Sequence, residues 1–403
     1  MSKAISQGHS AHYPMAATQL DIPFSVNFTH QIRFTDNVFG ADRDALSSVL
    51  TASENFPARV QVWIDAAVAQ SRPEIADVFA ELSKHSKHFN VVGVHALPGG
   101  EIIKNDWTFI SRILKDMNDA DLDRRSYVVA IGGGALLDAV GFAAATAHRG
   151  IRLVRIPTTT LAQGDSGVGV KNAVNYFGKK NWLGTFNVPW AVINDTRLLT
   201  TLPDRDFISG FSECIKVTLL KSPAHFDELC RDAEMLGQRN MPATVRALRN
   251  SVEWHLHHIT AGGDPFETLE ARPLDFGHWS AHKIETITNF AVRHGEAVGI
   301  GVALDCVYSS LVHGFPMADT ERVLRCLTSI GTAITHPVLN DQKKLLSGLE
   351  EFRQHLGGRL TLTMLRNVGV PLEVHDIDTD AMSHAISRLK AYALRAQHTG
   401  QPC

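Results

Sequence analysis

The sequence predicts an α/β + α protein, with a parallel α/β domain over residues 1–202 and a mainly helical domain over residues 203–403. Three observations carry this expectation. Before about residue 200, β-branched and aromatic runs of strand length alternate with helical stretches, the pattern of βαβ units on a mainly parallel sheet. After Leu202–Pro203 the apolar residues recur at helical spacing instead. No internal repeat or low-complexity tract interrupts either half. Open parallel sheets receive ligands at their strand C-termini, so an interdomain cleft is the expected site.

Taken in order, residues 1–25 are polar and expected to begin poorly ordered. FSVNFTHQIRFT and RVQVWIDAAV read as strands, Arg72–Lys84 as a helix, NVVGVHAL as a strand and Asp106–Met117 as a helix. SYVVAIGGG is the next strand, a helix runs from Leu136, and RLVRIPTTT is a further strand. Beyond the boundary, Phe207–Leu220, Ala224–Leu236, Pro242–Thr260, His278–Phe290 and Glu296–His313 read as helices. More helix is expected from Met317 to Ser329 and near the C-terminus.

Composition narrows the function. Hydrophobic residues make up 44% and charged residues 20%, which is ordinary for a globular chain and excludes global disorder. Lysine and arginine total 39 against 42 acids, for a formal net charge of −3. That balance leaves no footprint for nucleic acid or a membrane surface. A few clustered cations still suffice for a small phosphate. The 5 cysteines are odd in number, widely spaced and without CxxC, so neither a disulfide framework nor a thiolate zinc site is expected. The N-terminus lacks the apolar core of a signal peptide, and no run of apolar residues is long enough to span a membrane. The expectation is a soluble cytoplasmic protein. Its 20 histidines matter more, since imidazole is the commonest metal ligand.

Four constellations carry chemistry. Gly132, Gly133 and Gly134 follow a strand and open a helix bearing Asp138, where a backbone can approach a pyrophosphate; a plain tight turn has the same look. Upstream, Pro98-Gly99-Gly100-Glu101-Ile102-Ile103-Lys104 ends another strand, and taken alone reads as a turn before a solvated helix face. The second is RGIRLVRIPTTTLAQGDSGVGVKN, from Arg149 to Asn172, then GKKN. Its hydroxyls, glycine amides and cations suit a phosphorylated ligand, although a surface loop could carry them too. The third is Glu213 with Lys216 one turn on, by itself an intrahelical ion pair. The fourth places His278 and His282 at i and i+4, with His294 at the start of another helix. One carboxylate and two imidazoles with open positions form a zinc-type catalytic set, against the plainer reading of structural histidines.

Together, GGGALLDAVGF, RGIRLVRIPTTTLAQGDSGVGVK, GKKN, SECIK, LDFGH…H and RHGEAVGIG resemble, in order and spacing, the sugar phosphate cyclase superfamily, whose best-known member is 3-dehydroquinate synthase. The resemblance covers about Gly99 to Gly301, and six ordered motifs make chance improbable. It implies a Rossmann-like NAD-binding N-terminal domain and a helical C-terminal domain. By motif, the implied metal ligands are Glu213, His278 and His294, for zinc first and cobalt second. The implied NAD contacts are Glu101, Lys104, Gly132, Gly133, Gly134, Asp138, Thr158, Thr159, Lys180 and Thr201. The implied substrate contacts are Arg149, Asp165, Lys171, Asn181, Lys216 and His282, with Asp275 at the asparagine of the family's LNFGH motif. The implied reaction oxidises a secondary alcohol with NAD, eliminates phosphate, reduces the ketone again and closes a ring by aldol addition. The family also implies a homodimer.

The departures cluster where the family binds a substrate carboxylate. The lysine position falls near His257 and the arginine position on Ala271, with Arg272 one residue away. Asp275 replaces the asparagine, and GLEEFRQHLGGRLTLTML stands where Asp-Lys-Lys is expected, with Arg353 as a loose substitute. These changes predict cyclase chemistry on a neutral heptulose 7-phosphate, with authentic 3-dehydroquinate synthase as the alternative. A metal-dependent polyol dehydrogenase is a more distant reading, opposed by Arg149, Lys171, Lys180 and Lys216. A non-catalytic descendant is opposed by the intact metal set.

Overall fold

The computed structural model describes residues 19–52, 56–262, 266, 273–355 and 358–399. Six strands form one all-parallel sheet in the order β1-β8-β5-β4-β2-β3. These are β1 (Gln31–Thr35), β2 (Ala58–Asp65), β3 (Phe89–Leu97), β4 (Tyr127–Gly132), β5 (Arg152–Pro157) and β8 (Ala191–Asp195). Helices cover both faces, so the central strands bury both sides and read as continuous apolar runs. Every residue of β4 is buried, with Tyr127, Val129 and Ile131 packed on one face and Val128 and Ala130 on the other.

Two further strands, β6 (Lys171–Tyr176) and β7 (Lys179–Phe186), form an antiparallel hairpin outside that sheet. Phe177 and Gly178 link them, both with positive φ, as a two-residue hairpin turn requires. The hairpin was not foreseen, because KNAVNYFGKKN was read as phosphate-loop chemistry rather than as alternating strands. It carries four of the expected site residues or their neighbours: Lys171, Asn172, Lys180 and Asn181.

The second half is helical, as expected, around the buried helix His294–Val312. That helix is long and apolar enough to cross a membrane by composition, but it is apolar all round because helices pack on every side. The single helix expected over 207–220 is instead two, Asp204–Ser209 and Phe211–Lys221. Gly210 separates them, and a Cβ there would lie 2.2 Å from the Leu161 nitrogen. Gly210 keeps helical dihedrals, and the close backbone approach is what requires a glycine there. A small antiparallel pair, β9 (Leu362–Asn367) and β10 (Val370–Val374), and the helix Gln342–His355 were also missed. Conversely, only Gln31–Thr35 of the first expected strand pairs; Leu20, Ile22, Phe24, Val26 and Phe28 ahead of it are exposed. In RVQVWIDAAV the strand stops at Asp65, whose carboxylate accepts from the Ala67 amide and caps a short helix.

Candidate active site

The strand order reverses between β2 and β4, since β3 lies on one side of β2 and β4 on the other. A crevice at the C-terminal ends of such strands is where dinucleotides bind. β4 ends at Gly132, and Gly133 is the N-cap of the helix Gly134–Thr146. A Cβ on Gly133 would meet Thr159 at 3.3 Å, and one on Gly134 would meet the Ser166 hydroxyl at 2.8 Å. The Thr158 amide donates to the Gly132 carbonyl at 3.0 Å. The turn is therefore packed to backbone closeness and presents a helix N-terminus to an anion. Asp65, at the end of β2, borders the same crevice, within 3.3 Å of a Cβ on Gly132. The sequence reading missed it, though an acid ending a buried strand beside a reversal point is a usable signal.

Glu101 and Lys104 follow β3 into this crevice. Lys104 is 3% exposed, and its Nζ donates to Asp138 Oδ2 and Asn181 Oδ1, both at 2.6 Å. Burial opposes its charge, but Asp138 and Glu101 outweigh burial and raise its pKa above the usual lysine value. Asn175 donates to Glu101 at 3.1 Å and accepts from the Asn181 amide at 2.8 Å, so the hairpin is tied to the cofactor side. Replacing Lys104 with methionine strands Asp138 without its partner. The expected cost is about 3 kcal/mol in chemical denaturation, the low end for breaking a buried pair because Asp138 keeps some solvent contact.

On the opposite wall, Glu213 lies on Phe211–Lys221, while His278 and His294 each begin a helix. Their donor atoms lie within 4.8 Å of one another. His278 Nε2 is 3.5 Å and His294 Nε2 3.4 Å from Glu213 Oε1. His278 Nδ1 faces the Phe276 carbonyl at 3.1 Å, and His294 Nδ1 faces Glu285 Oε2 at 3.0 Å. Those acceptors hold a proton on each Nδ1 and turn both Nε2 atoms toward Glu213. Burial opposes a charge on His294, but Glu285 and Glu213 raise its pKa to about 9, so a cation bound there displaces a proton from its Nε2. An acceptor behind each ligating imidazole is the arrangement that orients metal ligands, so this donor set fits a divalent cation. A second group, His282, Glu285 and His294, fits less well, because both Glu285 oxygens are engaged, Oε1 by Lys180 Nζ at 2.5 Å and Oε2 by His294 Nδ1 at 3.0 Å. Burial and then Lys180 press the His282 pKa well below the usual value, leaving a neutral imidazole beside the set.

Between the two walls lies a cleft of about 480 Å³. It is lined by Asp165, Lys171, Asn181, Lys216, Asp275 and His282, together with Glu101, Lys104, Asp138, Lys180, His278 and His294. Lys216 Nζ reaches Glu213 Oε2 at 2.5 Å. Asp165 is held by His255 Nδ1 at 2.9 Å. His255 lines the cleft and is a residue the sequence reading missed. His257, expected near this position, is exposed and packs on Trp254. Arg353 is likewise turned away, paired with Glu350 at 2.6 Å, and its neighbour Phe352 lines the cleft instead. Ala271 and Arg272 lie outside the described residues. The chain's own Arg149 is exposed on the turn Ala147–Arg149 before β5, at the strand end away from the cleft. Thr201 is exposed in the turn before Asp204 and does not line the cleft either.

Comparison with known proteins shows the family and the fold. A family model described as 3-dehydroquinate synthase N-terminal matches residues 94–209, and one described as 3-dehydroquinate synthase C-terminal matches residues 210–355. The 3-dehydroquinate synthase of Geobacter sp. (strain M21) is 37% identical over 282 residues, 69% of this chain and 76% of that one. That of Halorhodospira halophila is 32% identical over 324 residues, 80% of this chain and 90% of that one. Among solved structures, ValA (2-epi-5-epi-valiolone synthase) from Streptomyces hygroscopicus subsp. jinggangensis 5008, with NAD+ and Zn2+ bound, superimposes with a TM-score of 0.83 and 26% identity, covering 93% of this chain and all (100%) of that one. A 2-deoxy-scyllo-inosose synthase complexed with carbaglucose-6-phosphate, NAD+ and Co2+ shares the fold at a TM-score of 0.73 and 22% identity, covering 89% of this chain and 96% of that one.

Proposed function

Because the chain belongs to the 3-dehydroquinate synthase family, we propose that it is an NAD- and divalent-metal-dependent sugar phosphate cyclase, a carbon–oxygen lyase acting on a neutral heptulose 7-phosphate. The observation that carries the substrate choice is Asp275 in the wall of a cleft that Leu274 and Phe352 also line. A carboxylate and two apolar side chains receive a hydroxylated ketose end better than a second carboxylate. Of the cleft lysines, Lys104, Lys180 and Lys216 already face Asp138, Glu285 and Glu213. The resemblance to ValA supports the same reading.

Bound in the cleft, NAD would supply a hydride acceptor that returns its hydride, and zinc or cobalt on Glu213, His278 and His294 a Lewis acid at the substrate hydroxyls. The chain's own residues do the rest. Lys171, Lys216 and the side-chain Nδ2 of Asn181 hold the phosphoryl group and stabilise the charge it gains on leaving. Asp165, fixed by His255, accepts from sugar hydroxyls. Neutral His282, lining the cleft, would take the proton lost from the carbon beside the transient ketone as the phosphate departs. Phe352 and Leu274 keep water from the reacting carbons. A homodimer and a reducing cytoplasm complete the proposal; Cys214, Cys230, Cys306 and Cys326 are free thiols.

The deciding experiment supplies NAD and metal, offers a panel of C7 ketose phosphates, and measures phosphate release with product identity by mass and NMR. Release without net NADH supports a cyclase. The second reading, authentic 3-dehydroquinate synthase, is favoured by relatives of that name at up to 38% identity. It requires efficient conversion of the carboxylated C7 sugar phosphate. Under either reading, Lys171→Ala is expected to weaken sugar phosphate binding by roughly 1.5–3 kcal/mol, the value of a hydrogen bond to a charged group. NAD affinity should stay unchanged; equal losses would place Lys171 in the cofactor site.

A further inference from the structure

We propose that Arg155 is a positioning residue for the phosphoryl end of the cleft: its buried guanidinium clamps the 167–172 segment that carries Lys171 and Asn172. The proposal rests on the sugar phosphate reading above. Arg155 lies in β5 with 0% exposure. Its Nη1 donates to the carbonyls of Gly167 (3.1 Å) and Gly169 (2.8 Å). Its Nη2 donates to the Lys171 carbonyl (2.9 Å) and to Asn172 Oδ1 (2.6 Å). One side chain thus fixes four acceptors over six residues, and Gly169, Lys171 and Asn172 all line the cleft.

Two features of the sequence are unfavourable unless this clamp matters. No carboxylate pairs with Arg155 among the described residues, and a buried charge without a counter-ion is costly. The second lies across the gap, in the middle of the helix Gly134–Thr146. There, a Cβ on Gly141 would lie 1.9 Å from Asn172 Oδ1. A mid-helix glycine weakens a helix, yet here only glycine lets Asn172 turn its carbonyl toward Arg155. Both choices converge on the placement of Asn172 and the chain beside it. Its charge, answered at a distance by Asp138, also adds a positive potential beneath the phosphoryl end, where screening is weak.

Arg155→Lys and Arg155→Gln separate geometry from charge, because lysine keeps the charge but cannot span four acceptors. In both, the KM for the sugar phosphate is expected to rise about tenfold or more, the equivalent of one charge-assisted contact, with little change in kcat or in NAD affinity. Gly141→Ala pushes on Asn172 from the other side, leaves Arg155 in place and favours the helix. It should raise the same KM, and it tests the clamp even where the Arg155 variants fold poorly. A KM within about twofold of the unmodified protein in Arg155→Lys and Gly141→Ala, or an equal rise in KM and NAD Kd, overturns the proposal. If the unmodified protein turns over neither sugar phosphate, the functional reading fails by itself. The clamp is then read from the Kd of inorganic phosphate by calorimetry, where a weakening of about tenfold supports it and an unchanged Kd overturns it.

Discussion

Replacing His278 or Glu213 with alanine is expected to leave the purified protein without bound metal and without turnover, while NAD binding stays largely intact. The physical reason is the number of ligands. Three side chains from three helices define the position, so two remaining donors hold an ion far more weakly. Loss of an outer hydrogen-bonding partner alone typically costs roughly 10–100-fold in metal affinity, and a direct ligand must cost more. The cofactor crevice, built from β2, β4 and the turn at Gly132–Gly134, is untouched by either change. Elemental analysis and NAD titration on the same samples check both halves. Stoichiometric metal in both variants would sink the assignment.

The second large effect concerns Asp275. A substrate carboxylate placed about 4 Å from this side chain meets a repulsion of about 4 kcal/mol at an effective dielectric of 20. The unmodified protein is therefore expected to turn over the carboxylated C7 sugar phosphate slowly or not at all, and a neutral heptulose phosphate well. Asp275→Asn removes one like charge and should shift the ratio of kcat/KM toward the carboxylated sugar by at least about tenfold. Steady-state comparison of both sugars in both proteins measures it. Efficient conversion of the carboxylated sugar by the unmodified protein would instead show a cation doing the recognition, and authentic 3-dehydroquinate synthase would be the better reading.

The parts of the site that the sequence made legible are those written as short local patterns. A glycine turn between strand and helix, two histidines one turn apart and a histidine opening a helix keep their meaning wherever the chain folds. Residues recruited by tertiary contact do not. Counting back from Asp275 lands on His257, but two residues along a helix is about 200°, the opposite face, and His255 is the one that meets Asp165. The same phase problem put Arg353 where Phe352 belongs. Asp305 illustrates a signal that was present but unused. It follows His294 by three helical turns on one face, and its carboxylate accepts from the Gly277 amide and from Trp279 Nε1, each at 3.0 Å, bracketing His278. The hairpin was missed because its cations drew the eye from its strand alternation.

The contact between Lys180 and Glu285 has a mechanical consequence. Lys180 stands on the hairpin of the sheet-bearing half, and Glu285 on a helix of the other half, directly behind His294. Any hinge motion wide enough to admit a sugar phosphate or release a ring product must first part them. Glu285 is 2% exposed on its side chain, so parting leaves a carboxylate facing His294 alone until water arrives. The latch and the proposed metal ligand therefore share one acid.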